Sequence, residues 1–143
     1  MTVFQPTQPC PCGRLGPSKK PLALAHCCGR FIDDFAKTPA PDAESLMRSR
    51  YTAFVLERAD YLLATWHASQ RPAQIEFDPG VKWLGLDVRQ HRLVDATHAE
   101  VEFVARQKSP GSPALRLHEL SRFLKEREGE GTGRWYYVDG DQR

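Results

Sequence analysis

The stretch Leu46-Met47-Arg48-Ser49-Arg50-Tyr51-Thr52-Ala53-Phe54-Val55 decides the fold. Its apolar residues Leu46, Met47, Tyr51, Phe54 and Val55 recur three and four positions apart, and the pattern continues through Tyr61 and Leu62 to Trp66. That spacing is the mark of a helix with one buried face. Asp42, two residues ahead of Glu44, makes a good helix start. The polar break Glu57-Arg58-Ala59-Asp60 interrupts the run, and Asp60 is placed to cap a second helix carrying Tyr61-Leu62-Leu63 to Trp66. The sequence therefore predicts a long helix, a turn and a shorter helix.

Towards the C-terminus, Arg71-Pro72 and Asp78-Pro79-Gly80 are breakers that flank a short helix expected over 73–77. The period then changes to two. Leu84, Leu86 and Val88 alternate with Gly85, Asp87 and Arg89, and Val101, Phe103 and Ala105 alternate with Glu102, Val104 and Arg106. Leu115 and Leu117 open a third run that continues to Phe123-Leu124, and Trp135-Tyr136-Tyr137-Val138 forms the last strand. Residues 109–113, all Ser, Pro or Gly, and residues 129–133, with three glycines, stand at hairpin positions. Residues 125–130, nearly all charged, read as a solvated hairpin tip. Helices first and an antiparallel meander afterwards make an α+β fold.

Towards the N-terminus, residues 31–41 form a connector that Pro39 and Pro41 keep from being helical throughout. Residues 1–30 differ from the rest of the chain. All four cysteines lie there, in Cys10-Pro11-Cys12-Gly13 and Cys27-Cys28-Gly29. Arg14, Lys19, Lys20 and Arg30 stand without a single acid, so this piece carries +4 and the remaining residues, with 16 basic and 18 acidic groups, carry −2. About 30 residues do not bury enough apolar surface to fold alone, and below roughly 40 a metal or disulfides usually help. Four thiols in two pairs suit one tetrahedral zinc ion, and they suit iron as well. Gly13 and Gly29, just after each pair, let backbone amides turn towards the sulfurs. Two disulfides or unrelated buried thiols are the alternatives. His26 is either a replacement ligand for Cys27 or Cys28 or a surface residue. The division is thus a knuckle over 1–30 and a second domain over 31–143.

The 143 residues suit one domain plus an appendage, and 41% hydrophobic with 27% charged residues is ordinary for a soluble protein. A net charge of +2 is too small to argue for nucleic acid or an anionic membrane. The longest apolar runs, such as Ala53-Phe54-Val55-Leu56, fall far short of the roughly 20 residues of a membrane span. The first residues have neither the basic region nor the apolar core of an export signal, so a cytoplasmic setting with reduced thiols is expected.

The N-terminal piece resembles the SEC-C motif, the zinc knuckle of the SecA translocation ATPase tail, through Cys10-Pro11-Cys12-Gly13 and Cys27-Cys28-Gly29. Its spacer of 14 residues between Cys12 and Cys27 is longer than the common form. The stretch 46–55 is similar to the LMRSRYSAFV signature of the YchJ-like, UPF0225 family. Residues 60–67 follow its ADYLxxTWH, and Trp83-Leu84-Gly85-Leu86, residues 101–106, Ser121-Arg122-Phe123 and residues 135–140 follow in order. The resemblance implies a SEC-C knuckle joined to an NTF2-like domain, a cone formed by helices packed on a curved antiparallel sheet, with a pocket at its open end. Some members carry a second SEC-C motif at the C-terminus. None precedes Arg143, so one zinc ion is expected.

Polar residues at positions expected to face inward are the candidates for chemistry. Arg50, Trp66, His67, Trp83, Glu102, His118, Glu119, Arg122 and Trp135 form this set. Neighbours on a strand point to opposite faces, so His118 and Glu119 are not partners, whereas His118 with Glu102 across strands is a candidate acid–base couple. The competing reading makes Arg48, Arg50, Glu102, Glu119 and Arg122 ion pairs that fix helix to sheet, and makes the tryptophans core. No GxGxxG, P-loop, HExxH or GxSxG pattern is present. The favoured function is an accessory protein whose basic knuckle docks a protein partner, with SecA-like resemblance pointing to an export chaperone or ribosome-associated factor. The second domain would then serve as scaffold or homodimer module. The alternative is a small-molecule-binding or enzymatic domain with a polar pocket. A nucleic-acid partner is disfavoured because there is no basic stripe with interleaved aromatics.

Overall fold

The computed structural model describes residues 5–126 and 133–143. A 3-10 turn at Leu24–His26 leads into helix α1 (Gly29–Asp33), followed by α2 (Ala43–Val55) and α3 (Ala59–Ala64). Four strands follow: β1 (Lys82–Leu93), β2 (His98–Lys108), β3 (Leu115–Glu126) and β4 (Arg134–Gln142). They pair in sequence order as one antiparallel sheet. The α+β reading therefore holds. The boundary drawn at residue 30 falls inside α1. None of the helices among the described residues is long and apolar enough to cross a membrane.

Asp42 caps α2 as the sequence suggests, its Oδ1 accepting from the Ser45 amide at 2.7 Å. The single buried face expected for α2 is an underestimate. Ser45, Ser49, Arg50 and Thr52 are buried alongside Leu46, Met47 and Tyr51. The N-terminal knuckle, α3 and the sheet all pack on this helix, and two of those surfaces receive small polar side chains. Ser49 shows how: its hydroxyl meets the Tyr61 hydroxyl of α3 at 2.7 Å and the Leu46 carbonyl at 2.9 Å.

Asp60 does not cap α3. Arg58 occupies the cap position without a side-chain bond, and Asp60 lies in the first turn, where it pairs with Arg58. The helix expected over 73–77 is absent. Fewer than two turns between proline breakers cannot offset the cost of helix nucleation. Ile75 and Phe77 instead pack against the core from an irregular segment. The hairpin tip at 127–132, which includes most of the charged run and of the 129–133 turn, lies outside the described residues.

The sheet curves because its ladders are interrupted. Register shifts fall between Trp83 and Gly85, between Val88 and Gln90, and at Arg122/Phe123 opposite β4. The first of these corrects the simple alternation of β1. Trp83 and Leu86 pack against the core, while Leu84 is 48% exposed. Leu115, read as an inward residue, is also exposed. Beyond the bulges the parity is regular: Ala99, Val101, Phe103 and Ala105 face the helices from β2, and Leu117 and Phe123 do so from β3.

Candidate functional site

Two places hold chemistry-bearing residues, and both touch α2. The first is the cysteine cluster. Cys10, Cys12, Cys27 and Cys28 are all buried, and their sulfurs lie within 4.8 Å of one another. The chain brings them together by doubling back. Bridges at Pro9/Ala23 and Leu15/Pro21 close the long spacer into an ordered hairpin-like loop, which turns at residues 16–20. Gly29 completes the turn, because a Cβ there would lie 2.6 Å from the Leu24 carbonyl oxygen.

The sulfur spacing tests whether a metal fits. Four sulfurs about 2.3 Å from one tetrahedral ion stand roughly 3.8 Å apart. The Cys12–Cys27 and Cys27–Cys28 sulfur distances are 3.6 and 4.0 Å, and no disulfide is formed. The donor set and spacing thus suit a metal site. Hydrogen bonding from Cys12 lowers the Cys10 thiol, while hydrogen bonding with Cys10 raises Cys12 and Cys28. Thiols that coordinate a dication are deprotonated outright, which ends this unequal sharing of protons. His26 is exposed and outside the cluster.

The knuckle is joined firmly to α2. The Cys10 sulfur meets the Thr52 hydroxyl at 3.6 Å, Arg48 Nη1 donates to the Cys12 carbonyl at 3.1 Å, and Arg14 Nη1 donates to Ser45 Oγ at 2.9 Å. Glu44 adds an ion pair with Arg48 at 2.8 Å and a longer one with Arg14 at 3.6 Å. The four cysteines belong to the same buried cluster as Leu46, Met47 and Leu62.

The second place is a cavity of about 220 Å³ between α2 and the concave face of the sheet. Phe54, Trp83, Phe103, Leu117 and Phe123 give it an apolar wall, and Arg50, Glu119, Ser121 and Gln142 give it polar points. Arg50 is 6% exposed. Its Nη1 donates to the Leu62 carbonyl at 2.8 Å and to Thr65 Oγ1 at 2.7 Å, close to the end of α3. Its guanidinium lies 4.5 Å from the Tyr137 ring centre and 5.2 Å from that of Trp66. Burial lowers its pKa to about 10, so it remains charged at neutral pH. Burial likewise pushes Tyr137 and Tyr51 up to about 12, so both wall hydroxyls stay protonated.

Of the residues singled out from sequence, the cavity brings together Arg50, Trp66, Trp83 and Glu119. Trp135 is in the core with Lys125 over its ring. His67 pairs with Glu126 and Ser69 away from the cavity wall. Glu102 and His118 do form the anticipated cross-strand pair, at 2.6 Å, but neither lines the cavity. They have the strand parity opposite to Phe103, Ala105 and Glu119, which places them on the outer face. Arg122 shares that parity and binds Asp139 and Asp141 at 2.6 and 2.8 Å. Among the described residues, no ion pair joins helix to sheet through Arg48, Arg50, Glu102, Glu119 or Arg122; Arg48 pairs with Glu44 on its own helix. Tyr51, Phe54, Ser121, Tyr137 and Gln142 are cavity residues that the sequence reading left out.

Residues 42–140 match the family model described as YchJ, middle NTF2-like domain. The chain is 81% identical to a UPF0225 protein of Polaromonas sp. over 134 residues, covering 94% of this chain and 93% of that one. It is 61% identical to a UPF0225 protein of Polaromonas naphthalenivorans, covering 95% and 98%. Among solved structures, a SEC-C motif containing protein from Psychrobacter arcticus superposes with a TM-score of 0.78 at 32% identity, covering 94% of this chain and 82% of that one. The solution structure of a SEC-C motif containing protein from Rhodopseudomonas palustris gives 0.74 at 31% identity, covering 94% and 98%.

Proposed function

As the chain belongs to the UPF0225 family and carries its YchJ-like, NTF2-like domain, we propose that it binds a small molecule in the cone cavity, with a zinc ion in the cysteine cluster bracing the domain. One observation carries this reading. Arg50 is a buried cation on the cavity wall with no carboxylate within ion-pair distance among the described residues. Leaving a charge buried and unpaired costs several kcal/mol. A charge kept there suits a site that meets a ligand better than it suits a packing contact. The four cysteines favour a bracing role for zinc, since a closed four-thiolate site leaves no open position for substrate.

Trp66 and Trp83 line the cavity, so occupancy changes their side-chain NMR signals. A fragment screen read on these indoles, on the metal-loaded full chain, tests the reading. If no fragment moves them, and Ala105→Leu raises Tm by filling the space, the cavity is a packing gap and the proposal fails.

A partner surface on the knuckle is the second reading. Leu15 is 55% exposed on the spacer loop, beside the exposed Lys19 and Lys20. An apolar point in a basic loop suits an acidic protein partner, such as an export chaperone or a ribosome-associated factor. Charge reversal at Lys19 and Lys20 together with Leu15→Ser then abolishes co-purification of that partner; an unchanged complex would sink this reading.

A further inference from the structure

We infer that the cavity takes a small apolar monocarboxylic acid, with its carboxylate on the free edge of Arg50 and its hydrocarbon body against Phe54, Trp83 and Phe103. This rests on the proposed small-molecule reading and narrows it to one ligand class.

The Arg50 guanidinium is held in place before any ligand arrives. Nη1 is committed to Leu62 and Thr65, and Thr65 Oγ1 donates in turn to the Tyr61 carbonyl at 2.7 Å. Rings of Trp66 and Tyr137 lie against the group. What remains is the Nε and Nη2 edge, for which no hydrogen bond is formed among the described residues. These atoms are not sealed off, because His91 Nε2 alone among the described residues is a buried side-chain nitrogen or oxygen without a partner. An immobilised guanidinium edge matches the two oxygens of a carboxylate.

The protein's own nearby carboxylate is directed elsewhere. Glu119 accepts from the Ser121 hydroxyl and, at 3.1 Å, from Gln142 Nε2. It lies over Gly140, where a Cβ would come within 2.6 Å of its Oε2. The missing side chain at residue 140 thus makes room for Glu119 along β4, and Arg50 is left without a counter-ion. Glu119 also sets a selectivity. It places a negative charge on the same wall, so a second carboxylate on the ligand is repelled, and monoacids are preferred over diacids.

Size limits the rest. An apolar cavity of about 150 Å³ holds benzene. The cavity of about 220 Å³ then suits a single-ring or short-chain acid of roughly ten non-hydrogen atoms.

The test uses 3-phenylpropionate, 3-phenylpropanamide and 3-phenylpropylamine, which share a ring and chain and differ in the terminal group. Each is titrated by calorimetry into the metal-loaded full chain at low salt. The acid is expected to bind about tenfold or more tightly than the amide, and the amine more weakly still. Arg50→Gln removes the acid's advantage, and Arg50→Lys recovers only part of it because a point charge replaces the fork. Should Arg50→Gln not fold, Glu119→Gln decides instead: it strengthens the acid severalfold and leaves the amide unchanged. Binding of the amide or amine at least as tight as the acid overturns the carboxylate assignment and leaves the cavity reading standing. No binding by any of the three overturns both.

Discussion

Removing the metal proposed for the cysteine cluster is expected to destabilise the NTF2-like domain as well as the knuckle. Leu24, Phe31 and Ile32 are 8, 5 and 3% exposed and pack through the knuckle and α1 onto the core. At about 1.5–3 kcal/mol for each fully buried side chain, they supply about 6 kcal/mol. The bonds that join the knuckle to α2, from Arg14 to Ser45, from Arg48 to the Cys12 carbonyl and between Cys10 and Thr52, add about 1 kcal/mol apiece. The sum is comparable with the 5–15 kcal/mol that holds a whole domain. Losing even about 3 kcal/mol of it lowers Tm by about 10 °C in a chain of this size. All three tryptophans, at 66, 83 and 135, lie outside the knuckle, so their fluorescence reports the domain alone. The experiment is a tryptophan melt before and after a tight chelator, with released metal quantified by a colorimetric dye. A melt unchanged within ~2 °C after complete metal release would refute the bracing argument.

Gly140→Ala drives a Cβ into Glu119 and is expected to cost about 1–3 kcal/mol, with most of the loss recovered in Gly140→Ala/Glu119→Ala; urea melts of the two variants decide it. Burial holds Tyr51, Tyr61 and Tyr137 at about 12, against about 10 in an unfolded chain. The folded state binds these protons more tightly, so stability is full below about pH 10 and falls as pH rises towards 12. Tyrosinate absorbance should therefore appear together with loss of circular dichroism, and ionisation that precedes unfolding would contradict the burial argument. Hydrogen bonds from Arg58 hold the Asp60 carboxyl below its ordinary value. That contribution is present above about pH 4 and lost below it, so the Tm gap between the wild type and Arg58→Gln closes as pH falls through that range. A gap that persists at pH 2 would show that Arg58 acts through packing.

The parts of the fold that were legible are those where one residue type repeats against one surface. The spacing of Met47, Tyr51 and Phe54 places α2 because all three line the cavity on the sheet side. Ser45, Ser49 and Thr52 gave no such signal, since small polar residues look solvent-exposed until a second surface arrives to bond them. β2 was legible because it has no bulge. β1 was not, because an unpaired residue near Gly85 exchanges the faces of Trp83 and Leu84. The cysteine pairs were plain from spacing alone. For the cavity, Arg50, Trp66, Trp83 and Glu119 were on the right side, while His118, Glu102 and Arg122 were chosen for their chemistry against their parity. Parity was enough to separate them: Glu119 shares its face with Leu117, Ser121 and Phe123, and His118 does not. Tyr137 and Gln142 needed the β3–β4 register, which no local pattern encodes.

Helix α2 connects the two sites, and this explains its unusual burial. Arg48 and Arg50 stand two residues apart, on different sides of the helix. Arg48 reaches the Cys12 carbonyl, and Arg50 lines the cavity. Thr52 meets the Cys10 sulfur, while Tyr51 and Phe54 form cavity wall. A rigid-body shift of α2 by a fraction of an ångström therefore changes both sites together. The knuckle fixes one side of the helix, and the Arg50 bonds to Leu62 and Thr65 fix it to α3. An unpaired guanidinium can be held at a cavity wall only by a frame stiff enough to prevent its collapse onto Glu119. On the proposed reading, a metal in the cysteine cluster supplies part of that stiffness, which gives the knuckle a physical role beside the proposed ligand cavity without its touching the ligand.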